Sequence, residues 1–87
     1  KRKVRIRLRI DKFLKVSRII KRRTLANEAC SKEKVTINGR VAKPGSEVKA
    51  GDIVEIRFGE HVTRFRVLRV TEHAKKEESA EMYELLQ

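Results

Sequence analysis

Val35-Thr36-Ile37-Asn38-Gly39-Arg40-Val41-Ala42 places two short runs of strand-forming residues around an Asn-Gly pair. Asn-Gly accepts positive φ at both central turn positions, so this stretch reads as a tight β-hairpin. Upstream the period is different. Ile10, Phe13 and Leu14 recur at i, i+3, i+4, the spacing of a short helix with one apolar stripe, and Lys12 and Lys15 point away from that stripe. Asp11 stands at the start of this helix, where a carboxylate suits the positive end of the helix dipole. Ser17 to Ile20 form a link that sends Ile19 and Ile20 inward. A second helix is predicted over about Arg22 to Ser31, burying Leu25 or Ala26, Ala29 and Cys30. Downstream of the hairpin, Pro44-Gly45 and Ala50-Gly51-Asp52 mark turns. Ile53 to Phe58 and Val62 to Thr71 read as a second pair of strands joined at Gly59. In the latter strand Phe65 and Val67 alternate with Arg64 and Arg66. Helical character returns from Ala74 to Leu86, with Met82, Leu85 and Leu86 as its stripe. The expected class is therefore α+β: two short N-terminal helices on a small, mainly antiparallel sheet, with a C-terminal helix.

The chain has 87 residues and a net charge of +11. That length makes one domain with one modest core. The charge is polarised: residues 1 to 23 hold twelve Lys/Arg and one acid, and the remaining residues hold eleven of each sign. Polarised positive charge implies a polyanionic partner, and nucleic acid is the commonest. An anionic membrane surface is the competing partner. A membrane-surface helix needs bulky apolar residues opposite its charges over several turns, whereas Val4, Ile6, Leu8 and Ile10 alternate with Arg5, Arg7 and Arg9 in an extended pattern. No run approaches the ~20 apolar residues of a membrane span, so no membrane partner is expected. A single cysteine, Cys30, forms no internal disulfide, in keeping with a reducing compartment and a cytoplasmic location.

Catalytic chemistry finds little support. His61 and His73 are twelve residues apart without a Cys or carboxylate at ligand spacing, and a zinc site needs about four ligands; no metal or cofactor is expected. The four glycines belong to turns, not to a phosphate-binding loop, and no serine has a placed base. The acids Glu77, Glu78 and Glu81 read as a solvated helix face. Arg22 and Arg23 in the first turn of a helix oppose its dipole by a few tenths of a kcal/mol each; an external anion would offset that. Lys34, Arg40 and Lys43 surround the hairpin and, if the hairpin packs beside the helices, extend the same cationic surface. Such a groove suits structured RNA, which is read through backbone, 2′-hydroxyls and shape. Phe13, Phe58, Phe65 and Tyr83 include three better placed in a core, which disfavours binding by base stacking.

Four ordered motifs, Arg9-Ile10-Asp11-Lys12-Phe13-Leu14, Lys21-Arg22-Arg23-Thr24-Leu25-Ala26, Val35-Thr36-Ile37-Asn38-Gly39 and Val48-Lys49-Ala50-Gly51-Asp52, resemble the S4 RNA-binding domain, whose fold is called αL-like. The resemblance covers residues 9–58. It leaves 1–8 as a basic arm and 59–87 as a strand and C-terminal helix extending the same domain. Ile56-Arg57-Phe58-Gly59 and the tail from Lys75-Lys76-Glu77-Glu78 through Met82-Tyr83 are similar to the RqcP-type branch, small S4 proteins of bacterial ribosome-associated quality control. That resemblance implies a non-enzymatic, monomeric protein on the large (50S) ribosomal subunit carrying peptidyl-tRNA. It would contact large-subunit rRNA and peptidyl-site tRNA and support alanine tailing of stalled chains, with the tailing factor RqcH as a further partner. Carried over by position, Arg9 and Arg23 lead the RNA contacts. Lys12, Lys15, Arg18, Lys21, Arg22, Lys34, Asn38, Arg40 and Lys43 complete the candidate surface. Glu33 departs from the family, which often has Gly there, and the arm has no family role. A heat-shock-type S4 protein recycling separated large subunits, or a generic S4 interaction module, are the alternative readings.

Overall fold

The computed structural model describes residues 7–72 and 74–86. Most of the basic arm, and His73 with the metal-site reading attached to it, lie outside the described residues. Leu8–Arg9 form a two-residue strand, β1, that leads directly into helix α1, Ile10–Val16. The apolar stripe behaves as its spacing requires: Ile10, Phe13 and Leu14 are fully buried. The helix ends at Ser17, whose hydroxyl donates to the Leu14 carbonyl at 3.3 Å. The chain then reverses through Arg18, a non-glycine residue at φ +65°, so that the Ile20 N–H returns to the Leu14 carbonyl at 3.1 Å and Ile20 enters the core.

Helix α2, Arg23–Ser31, buries Ala26, Ala29 and Cys30 and leaves Leu25 half exposed. It starts one residue later than predicted. Its C-terminus closes with a pair of crossed bonds: Glu33 N–H to the Cys30 carbonyl and Lys34 N–H to the Ala29 carbonyl, both 3.0 Å. This pattern needs a left-handed residue just past the helix, usually Gly. Glu33 fills it at φ +62°. The family departure noted in the sequence therefore falls on a backbone position that favours glycine.

The main sheet has the order β3-β2-β5-β6-β7, with every neighbouring pair antiparallel. Its strands are β2 (Val35–Ile37), β3 (Arg40–Val41), β5 (Ile53–Phe58), β6 (His61–Val67) and β7 (Tyr83–Leu86); β4 (Glu47–Val48) pairs with β1 instead. Asn38 (φ +54°) and Gly39 (φ +86°) make the expected hairpin turn. One face of the sheet carries Val35, Val54, Ile56, Phe65 and Val67 into the core. Phe13 of α1 stacks on Phe65 of β6 with ring centroids 6.1 Å apart, which seats the helices on that face. Strand alternation then puts Arg64 and Arg66 on the opposite face, and the register adds Glu55, opposite Arg64, and Arg57, opposite Val62.

The C-terminal segment corrects the sequence reading. Helix α3 is only Lys76–Ser79, and residues 83–86 are an edge strand bound to β6. The stripe of Met82, Leu85 and Leu86 accordingly breaks up. Met82 is fully buried, Tyr83 meets Phe65 edge-on at 5.7 Å, and Leu85 is 65% exposed. Strand β6 has unpaired N–H and C=O groups on the side away from β5, and satisfying them outweighs a local helical preference of a few tenths of a kcal/mol per residue. Strand β6 also stops at Val67, short of the predicted Thr71. There the Leu68 N–H bonds the Met82 carbonyl at 2.8 Å as the chain leaves the sheet.

Candidate nucleic-acid interface

The cationic residues of α1, the following link and α2 form two clusters with different internal chemistry. The first is built on Asp11. Its side chain is 2% exposed and collects donors from three directions. From Arg9, Nε–H donates to Oδ1 at 3.2 Å and Nη2–H to Oδ2 at 3.0 Å. The Asn27 amide donates to Oδ2 at 3.3 Å, and Arg23 Nη2 lies 3.5 Å from Oδ1. Arg9 precedes α1, whereas Arg23 and Asn27 stand one turn apart on α2, so a single buried carboxylate ties the starts of both helices together. Both arginine side chains remain about half exposed, at 49% and 46%. With Thr24 these four residues line a shallow hollow.

The second cluster has no acid in it. Lys15, Arg18 and Lys21 line a hollow formed by the end of α1 and the link. Arg18 is placed there by its left-handed backbone. None of these three, nor Arg22 just before α2, makes an ion pair among the described residues. Elsewhere Lys32 pairs with Glu28 at 3.0 Å, Lys49 with Asp52 at 3.1 Å, Arg64 with Glu55 at 2.8 Å, Arg66 with Glu84 at 3.3 Å and Arg69 with Glu81 at 3.5 Å, whereas Lys34, Arg40, Lys43, Arg57, Lys75 and Lys76 make no ion pair among the described residues. Lys12 is intermediate, reaching Glu72 at 3.5 Å.

The hairpin residues are arranged differently from the helical ones. Lys34 sits past the C-terminal end of α2, about 15 Å along the axis from Arg23 at 1.5 Å per residue. Arg40 and Lys43 are exposed on β3 and on the segment after it. Asn38 spends both ends of its amide inside the protein. Its Nδ2 donates to Asp52 at 3.1 Å and its Oδ1 accepts the Ile53 N–H at 2.9 Å. Sequence reasoning missed Asp11 as a hub and Asn27 and Thr24 as neighbours of the arginines. The i, i+4 spacing of Arg23 and Asn27 was a usable signal, but the docking of α1 on α2 was not.

In sequence and fold the chain is similar to known proteins. The family model described as S4 domain matches residues 8–54. The chain is 51% identical over 79 residues to the RQC P-site tRNA stabilizing factor of Listeria innocua, covering 91% of this chain and 86% of that protein. It is 49% identical to the protein of the same name from Bacillus subtilis, covering 91% and 92%. Among solved structures, the trimeric Heat Shock Protein 15 of Vibrio cholerae superposes with a TM-score of 0.82 at 27% identity, covering 92% of this chain and 82% of that one.

Proposed function

Because the chain belongs to the S4 domain family, we propose that it is an RNA-binding factor of ribosome-associated quality control. It engages the large ribosomal subunit carrying peptidyl-tRNA, contacts rRNA and peptidyl-site tRNA together, and so supports alanine tailing of stalled chains by RqcH. Relatives called P-site tRNA stabilizing factors, about half identical over nearly the whole chain, support this reading. The observation that carries it is the cluster of Lys15, Arg18, Lys21 and Arg22 on the end of α1, the link and the approach to α2, which has no acidic partner among the described residues, while the outer face of the sheet pairs Arg64 with Glu55 and Arg66 with Glu84. Unpaired cations in shallow hollows retain their full attraction for phosphate.

The protein acts by charge and shape, as a monomer in the cytoplasm and without chemistry of its own. Arg9 and Arg23 make the leading phosphate contacts, with Lys12, Lys15, Arg18, Lys21 and Arg22 in support. Lys34, Arg40 and Lys43 contribute from the hairpin, whose shape Asn38 holds. The test is co-sedimentation with small subunits, empty large subunits and large subunits bearing peptidyl-tRNA. Preference for the last is expected. Equal binding to all three would reduce the protein to a general basic RNA binder. Strong binding to large subunits that carry nascent chains but lack peptidyl-site tRNA would favour the heat-shock-type role.

A further inference from the structure

The arrangement around Asp11 contains an apparent contradiction. Two arginines at the centre of a cationic surface are each held by a carboxylate, which subtracts from the field that attracts RNA. Geometry resolves it. Arg9 turns its Nε/Nη2 edge toward Asp11. A guanidinium has five donors in a rigid plane, so the Nη1/Nη2 edge remains free to grip a phosphate bidentately. Arg23 uses only Nη2 on Asp11. A free arginine must freeze its flexible chain on binding, losing up to about 2 kcal/mol of rotamer entropy. Here that ordering precedes binding.

We infer that Asp11 is a positioning residue for RNA recognition: it locks Arg9 and Arg23 into one preformed clamp for a backbone phosphate of structured RNA, held over the Arg9–Thr24–Asn27 hollow. Asp11 itself repels the ligand and never touches it. The inference rests on the proposed RNA-binding function and deepens it by assigning a residue of the wrong charge to the binding machinery.

The sign of the effect separates positioning from bulk electrostatics. Asp11→Asn raises the net charge by one, so attraction by charge alone grows. Its amide nitrogen would also meet the donors of Arg23 or Asn27, so the clamp loses an anchor. Affinities of wild type and Asp11→Asn are measured against large subunits bearing peptidyl-tRNA and against poly(U), with far-UV circular dichroism and the thermal midpoint as folding controls. Asp11→Asn is expected to weaken binding to the subunit about tenfold, the loss of one charge-assisted contact, while poly(U) affinity stays level or rises. A folded variant that binds the subunit as well as wild type, or better, overturns the inference alone. Wild type showing no preference for the loaded subunit overturns the proposed function together with it.

If Asp11→Asn does not fold, the exposed substitutions Arg9→Lys and Arg23→Lys decide. They keep charge and remove the fork. Each should cost about tenfold, and the double variant should cost little more than either alone, because a one-armed clamp has already lost its geometry. Unchanged affinity, or losses that simply multiply, would overturn it.

Discussion

Burial opposes the charge on Asp52, yet the Lys49 N–H, the Asn38 amide and the Lys49 ammonium outweigh it and hold the carboxyl below its ordinary value. A depressed folded-state pKa adds stability that is complete above the unfolded value, about 3.9 for Asp, and is lost as pH falls through the folded value. Asp52→Asn should therefore cost about 1–2 kcal/mol at pH 7, with the difference from wild type shrinking below about pH 4. Urea unfolding of both proteins from pH 7 to pH 2.5 checks this; a pH-independent difference would mean that the charge is not what matters. Cys30 is pushed the other way, up to about 11, by burial and then by the nearby Asp11 carboxylate. Its place on the apolar side of α2 was legible in the sequence, because helical periodicity alone fixes it. The partners of Asp11 were not, since Asn27 is sixteen positions away and meets it only once α1 and α2 have docked. Phe58 was similarly opaque: its aromatic character fits a core, but it ends β5 beside the Gly59 turn and stays 47% exposed.

At the scale of elements, local signals were reliable where the element is closed by its own residues. The Asn38-Gly39 hairpin and the two N-terminal helices carry their turn and stripe residues within a few positions, and they form as read. The C-terminal segment shows the opposite case. Whether residues 83–86 coil or extend is decided by the open edge of β6, information held elsewhere in the chain. The strand assignment has a mutational signature. Met82→Ala should cost about 2–5 kcal/mol, as for a fully buried side chain, and Leu85→Ala should stay within about 0.5 kcal/mol. A helix burying the stripe Met82, Leu85 and Leu86 would make both substitutions costly in chemical denaturation. The end of α2 gives a second expectation. A non-glycine residue in the left-handed region costs about 1–2 kcal/mol, partly offset by the entropy glycine adds to the unfolded chain. Glu33→Gly should therefore raise stability by about 0.5–1 kcal/mol, read as a higher thermal midpoint. An unchanged or lower midpoint would show that the Glu33 side chain compensates for its backbone.

For the molecule as a whole, composition foretold a polyanion partner but not how its charges divide. Counting along the chain shows +11 in residues 1 to 23 and neutrality beyond. Folding then neutralises most cations of the sheet's outer face with Glu55 and Glu84, leaving the helix-and-link surface as the outstanding positive face. If that face meets about five to eight phosphates, log K should fall against log salt with a slope of roughly −4 to −7. A slope near −1 would leave room for no such face.

The most direct test of the central claim compares two triple variants that remove equal charge from opposite sides of the protein. One is Lys15→Gln/Lys21→Gln/Arg22→Gln on the helix-and-link surface, the other Arg57→Gln/Arg64→Gln/Arg66→Gln on the outer face of the sheet. All six side chains are exposed, so losing the surface ion pairs of the second set costs at most about 1 kcal/mol of stability per pair. Binding to large subunits bearing peptidyl-tRNA should fall at least about a hundredfold for the first variant, if each lost phosphate contact costs about 1 kcal/mol or more, and only a few-fold for the second. Equal losses would show that total charge, rather than this face, governs binding, and a greater loss for the second would place the RNA on the sheet.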